Sequence, residues 1–222
     1  MNFTYLALGD SYTIGEQVSL AESFPYQTVQ RLRQTAGQTP TAVGNPVGGC
    51  RFTAPEIIAK TGWTTDELNA AIKQSSLLQQ YDVVSLLIGV NNQYKGRTVA
   101  EFQDQFTQLL QQAIVFAGNK PKNVFVLSIP DWGVTPFAET RLPDEHGRDK
   151  EQIAEEINAF NEVCKNIAAA SLCTYIDITA SQREDGNKPE FLAGDSLHPS
   201  GIEYAKWAAK FAAAILKLKM DN

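Results

Sequence analysis

Only two histidines and three cysteines occur in the 222 residues. His146 and His198 lie far apart, and Cys50, Cys164 and Cys173 match no zinc spacing, so no metal site and no cofactor are expected. Three thiols cannot all pair. Buried free cysteines are the expectation, with a Cys164–Cys173 bridge open only to an oxidising compartment. There is no basic run either: 19 Lys and Arg stand against 25 Asp and Glu, a net charge of −6. That balance argues against a nucleic-acid partner and against docking on anionic lipid. No apolar run approaches the ~20 residues of a transmembrane segment. The first residues carry neither a basic region nor an apolar leader core. The chain as given therefore reads as cytoplasmic, or as secreted or periplasmic if a leader has been trimmed. The glycine signatures of nucleotide sites are also missing. No G-x-G-x-x-G follows a strand, and Gly44 and Gly49 have P-loop spacing but are followed by Cys50-Arg51 instead of Lys and Ser/Thr.

What is present is an ordinary globular composition, 43 % apolar and 20 % charged, over a length suited to one domain, residues 1–222. Short apolar runs alternate with longer helical ones. Strands are expected at 3–8, 56–60, 82–88, 123–129 and 173–178. Helices are expected at 22–36, 65–75, 98–116 and 149–170, with a last one after Pro199 carrying Tyr204, Trp207 and Phe211 inward. Thr98 and Glu101 have the spacing of a capping box. Residues 37–55, 130–148 and 179–194 read as loops. Alternating strands and helices predict an α/β fold with a parallel sheet covered on both faces. Such sheets bind ligands beyond the carboxyl ends of their strands. The polar clusters fall there: Asp10-Ser11 after the first strand, Gly62 after the second, Asn91-Asn92 after the third, and Asp195 and His198 after the fifth.

A serine hydroxyl at neutral pH needs a base, a group that orients the base, and donors for the oxyanion. Of the two histidines, His198 has Asp195 three residues before it. On a turn, that carboxylate can reach Nδ1–H and leave Nε2 free for Ser11. The bland alternative is an Asp that caps the last helix beside a surface His. The order Ser, Asp, His also occurs in α/β-hydrolases, but those require a G-x-S-x-G elbow, and Thr13 stands where its second glycine belongs.

Taken together, four blocks resemble the SGNH, or GDSL-type, esterases and lipases. Gly9-Asp10-Ser11-Tyr12 resembles the first block, with Tyr12 in place of the usual Leu. Thr61-Gly62-Trp63-Thr64-Thr65 is similar to the second, Gly89-Val90-Asn91-Asn92 to the third, and Asp195-Ser196-Leu197-His198 to the last. The resemblance implies a flavodoxin-like three-layer α/β/α sandwich with strand order 2-1-3-4-5. It implies a serine esterase in which Ser11, His198 and Asp195 form a triad and Ser11, Gly62 and Asn91 the oxyanion hole. Gly48 or Gly49 is the alternative to Gly62, and Asn92 replaces the family's Asp, removing a charge beside the site. The implied partners are small ester substrates: short-chain acyl or acetyl esters, acetylated carbohydrate or lysophospholipid. A non-catalytic binding domain on the same fold is the competing class.

The other candidates carry less. Asp10 is expected to fix the turn after the first strand, and His146 to be solvated in its polar loop. Trp63, Trp132 and Phe137 suit either an acyl or sugar pocket or core packing, and Asp131 has no assigned role. The 130–148 loop is the expected specificity element.

Overall fold

The structure is a computed structural model that describes residues 2–36 and 51–220. The alternative glycines Gly48 and Gly49, and Cys50, lie outside the described residues. Among the described residues, seven strands run β1 (Asn2–Phe3), β2 (Tyr5–Gly9), β3 (Arg51–Phe52), β4 (Glu56–Ala59), β5 (Val83–Leu87), β6 (Val124–Leu127) and β7 (Thr174–Ile176). β1 and β3 form a two-residue parallel pair, so the end of the expected 37–55 loop is a short strand. The other five make one parallel sheet in the order β4-β2-β5-β6-β7. Counted among themselves these are 2-1-3-4-5, as expected. β2, β5 and β6 are buried throughout, which explains why they read as near-continuous apolar runs instead of alternating ones.

Nine α-helices accompany the sheet among the described residues. They are α1 (Ser11–Ile14), α2 (Phe24–Thr35), α3 (Thr65–Gln74), α4 (Val90–Tyr94), α5 (Val99–Phe116), α6 (Pro136–Glu139), α7 (Lys150–Ala170), α8 (Thr179–Asp185) and α9 (Gly201–Met220). α9 lies against α2 and sets Phe211 on Tyr5 and Phe125, with ring centroids 5.5 and 5.1 Å apart. Tyr5 and Phe125 share a face: Tyr5 is in register with Val83, two residues before Ser85, and Phe125 is in register with Ser85 itself, whose hydroxyl meets the Tyr5 hydroxyl at 2.7 Å. α3, α5 and α7 form the second row, where Phe102 stacks on Phe160 at 4.6 Å.

Three local expectations differ from the structure. Thr98 does accept from the Glu101 N–H, but the Glu101 carboxylate turns to Arg97 and Gln105, so only half of the capping box forms. The 179–194 stretch begins with α8, a polar helix without apolar periodicity. It is anchored from outside, by Ser128 Oγ on the Ile178 and Thr179 N–H groups and by Asp177 on Ala180. The 130–148 loop contains a 3₁₀ turn at Trp132–Val134 and α6, capped by Asp131 and Thr135. Cys164 and Cys173 are free, and burial pushes both thiols up, that of Cys173 to about 11. No helix among the described residues is long and apolar enough to cross a membrane.

Strand register places the start of the loops. Gly9 pairs with both Ala59 and Leu87, so β2, β4 and β5 end at one level. The segments carrying Ser11, Gly62 and Asn91 therefore leave the sheet side by side.

Candidate active site

Ser11 is the first residue of α1, immediately beyond β2. Asp10 caps that helix by accepting the Tyr12 N–H at 3.0 Å, as the sequence reading expects. The Asp10 carboxyl is fully buried and its Oδ2 has no partner among the described residues. Burial pushes it up to about 8, against the Tyr12 N–H, which pulls the other way. A carboxyl raised by folding binds a proton more tightly in the native chain, so its stability contribution falls as pH rises from about 4 to about 8. Asp10→Asn keeps the cap acceptor and cannot ionise. Its stability relative to the parent should climb over that window by a few kcal/mol at most. Urea midpoints of both proteins at pH 5 and pH 9 check this, and parallel pH profiles would refute it.

At the other end of the chain, the turn before α9 brings Asp195 and His198 back to Ser11. His198 Nε2 lies 2.9 Å from Ser11 Oγ and Nδ1 2.6 Å from Asp195 Oδ2. Asp195 Oδ1 accepts the Leu197 and His198 N–H groups, both at 3.0 Å, which fixes the carboxylate before the imidazole reaches it. Burial alone would raise the Asp195 carboxyl. Its bonds to the His198 ring and to the two N–H groups outweigh that and hold it below the usual carboxylate range. Ser11 and His198 are buried, 5 % and 7 % exposed, and Tyr12 packs on the imidazole at 5.3 Å.

Gly62 and Asn91 flank the serine in a cavity of about 230 Å³ lined also by Tyr12, Thr61, Val90, Tyr94, Trp132, Phe137, Leu197 and His198. Gly62 has φ +80°, a conformation that glycine adopts without strain. No acceptor among the described residues takes its N–H. The segment around it is tied down from several sides. Lys95 Nζ donates to the Gly62 carbonyl at 3.1 Å, Asn91 Nδ2 donates to the Trp63 carbonyl at 3.0 Å, and the Thr61 hydroxyl donates to Glu16. One amide hydrogen of Asn91 is thus engaged and the second is left over. Asn92 is fully buried. Its Oδ1 accepts the Thr65 N–H at 3.1 Å, and its Nδ2 donates to the Thr65 hydroxyl at 2.7 Å, which donates onward to Gln105. An aspartate there has no donor to complete that chain, and its charge would be desolvated.

All residues expected at the site converge. Trp132 and Phe137 line the cavity, whereas Trp63 contributes its carbonyl and packs against the core. Asp131 is a buried cap that accepts from Gly133 and from Arg183 at 2.8 Å. His146 is exposed beside Glu145. Tyr94 and Leu197 are wall residues that the sequence reading missed. Tyr94 falls three positions after Asn91, on the same helical face, and that spacing was the available signal.

Residues 7–206 match the GDSL-like lipase/acylhydrolase family. The chain belongs to it. It is thus a member of a family of ester hydrolases, with the family's α/β fold. A spore germination lipase, LipC, of Bacillus licheniformis is 22 % identical over 96 % of this chain and 97 % of its own. Among solved structures, a lipase/acylhydrolase from Enterococcus faecalis superposes with a TM-score of 0.69 at 18 % identity, covering 96 % of this chain and 95 % of that one. Axe2, an acetylxylan esterase of Geobacillus stearothermophilus, does so at 0.65 and 20 % identity, covering 96 % and 94 %.

Proposed function

We propose that this GDSL-family chain hydrolyses short-chain carboxylic esters through an acyl-enzyme on Ser11. The observation that carries the reading is the single imidazole of His198 bridging Ser11 Oγ at 2.9 Å and Asp195 Oδ2 at 2.6 Å. Ser11 Oγ attacks the ester carbonyl carbon and passes its proton to His198 Nε2, while Asp195 stabilises the imidazolium. The negative oxygen is held by the Ser11 and Gly62 N–H groups and the unengaged amide hydrogen of Asn91. The carbon–oxygen bond to the alcohol then breaks, and the alcohol leaves with the proton from His198. Water repeats the cycle, giving its proton to His198 and releasing the carboxylic acid and Ser11.

The cavity supports a small acyl group. Its volume of about 230 Å³ is below the roughly 300–1,000 Å³ of most small-molecule pockets. Beyond the polar end, its walls are Val90, Tyr94, Trp132, Phe137 and Leu197. Hydrolysis of acetylated carbohydrate is the second reading, favoured by the Tyr94 and Trp132 rings on that wall and by the likeness in fold to an acetylxylan esterase. A panel of p-nitrophenyl esters from acetate to decanoate, run beside acetylated xylo-oligosaccharide and lysophospholipid, separates these substrates. Best turnover on acetate to hexanoate is expected, and preference for decanoate or lysophospholipid would overturn the short-chain reading.

Asn91→Ala should lower kcat by about 10²–10³-fold with little change in KM, because the lost donor acts on charge that develops after binding. Steady-state kinetics on the butyrate ester test this. A raised KM at unchanged kcat would place Asn91 in ground-state binding instead.

A further inference from the structure

A guanidinium has five N–H donors, and Arg148, 5 % exposed, makes four side-chain hydrogen bonds and one further ion-pair contact. Nε donates to Asp144 Oδ2 at 2.8 Å, and Nη2 lies 2.5 Å from the same oxygen as an ion pair. Nη1 donates to the Gln93 carbonyl at 2.7 Å and to Glu156 Oε2 at 2.9 Å, and Nη2 donates to the Tyr94 carbonyl at 2.8 Å. None of these bonds involves a reacting atom. Two of them go to the carboxyl end of α4, a helix of five residues. So short a helix is not self-supporting, and its last carbonyls lack intrahelical partners. A buried cation at that end supplies donors and favourable charge together.

The network continues into the cavity wall. Gln93 Nε2 donates to Glu156 Oε2 at 2.6 Å, and Gln93 Oε1 accepts the Trp132 indole N–H at 2.8 Å. Trp132 and Tyr94 meet edge to face at 5.3 Å, and both line the cavity. Arg148 itself sits on a turn closed by Asp144, which accepts the Arg148 N–H at 2.9 Å. A segment remote in sequence from the triad thereby sets two aromatic rings against the substrate.

We propose that Arg148 is a positioning residue for acyl-chain selectivity, holding Tyr94 and Trp132 in place through the carbonyls of α4 and through Glu156 and Gln93. This rests on the ester-hydrolysis reading of the cavity. Arg148→Met removes the four hydrogen bonds and the ion pairs. Arg148→Lys keeps the charge but brings three donors to four acceptors.

The test is kinetics of the parent, Arg148→Lys and Arg148→Met on p-nitrophenyl acetate, butyrate and hexanoate, with thermal midpoints alongside. In both variants KM for butyrate and hexanoate should rise roughly five- to tenfold, the effect of one net hydrogen bond. kcat on acetate should stay within about twofold, so the chain-length preference flattens. Arg148→Met leaves Asp144 and Glu156 without their counter-charge and is the variant at risk of not folding. Arg148→Lys keeps the question answerable. A lowered midpoint with an unchanged chain-length profile would show a merely structural role and overturn the proposal. So would an equal fall of kcat on every ester, which would route the effect through Asn91. If the parent hydrolyses none of the esters and takes no fluorophosphonate, the ester-hydrolysis reading fails instead.

Discussion

Ser11→Ala lowers kcat on p-nitrophenyl butyrate by about 10⁶-fold, and the variant takes up no fluorophosphonate. This is the largest effect expected of any single substitution in the chain. The alanine has room, because it only deletes an oxygen from a buried site. The turn survives as well, since the Asp10 cap bonds the Tyr12 N–H and not the serine side chain. Thermal midpoints should therefore match within a few degrees, and the loss is one of chemistry. His198→Ala should cost nearly as much, and the double variant hardly more than either, because the residues act as a unit. Retention of activity within tenfold of the parent would remove Ser11 from the reaction.

Asp195→Asn should lower kcat by about 10³–10⁴-fold with KM nearly unchanged, measured on the same ester. The asparagine oxygen can still accept the Leu197 and His198 N–H groups that Asp195 Oδ1 accepts. Its amide nitrogen then replaces Oδ2 opposite His198 Nδ1, now 2.6 Å from the carboxylate. Two donors cannot face each other there, so the ring takes the tautomer with its proton on Nε2. That nitrogen points at Ser11 Oγ and can no longer accept its proton. The geometry survives and the function is lost. The parent's pH behaviour follows from the lowered Asp195 carboxyl. A carboxyl lowered by folding contributes stability above its unfolded pKa and loses it as pH falls through the folded value. Protonation of Asp195 therefore begins only below the usual carboxylate range. A parent and an Asp195→Asn variant whose kcat converged at neutral pH would refute the orienting role.

The sheet was legible because its strands are buried on both faces. Val124–Leu127 is an unbroken apolar run and Val83–Leu87 is interrupted only by Ser85, and their assignment needs no partner. α8 was not legible. Its residues, TASQRED, carry no apolar stripe, and what holds its first turn is Ser128 Oγ from another element. The capping box at Thr98 was half right for a related reason: Arg97 competes for the Glu101 carboxylate, and spacing alone does not register the competitor. At the site, the polar residues were readable as blocks after strands. The apolar wall was only partly so, since Tyr94 and Leu197 look like any other apolar residue until the cavity between them is seen. Arg148 was invisible as more than a loop charge, because its partners stand up to 55 positions away.

By itself, then, the sequence determined the α/β architecture and placed Ser11, Gly62, Asn91, Asp195 and His198 after strands. Periodicity and turn chemistry are local properties, written in neighbouring residues. Tertiary structure alone decided that β2, β4 and β5 end at one level and that His198 Nε2 faces Ser11 across 187 positions. It also decided that Asn92 closes a buried hydrogen-bonded chain instead of merely lacking a charge, and that Arg148 braces the cavity wall from behind. These depend on register and packing between distant segments, where desolvation and hydrogen-bond direction are settled only once both partners are in place.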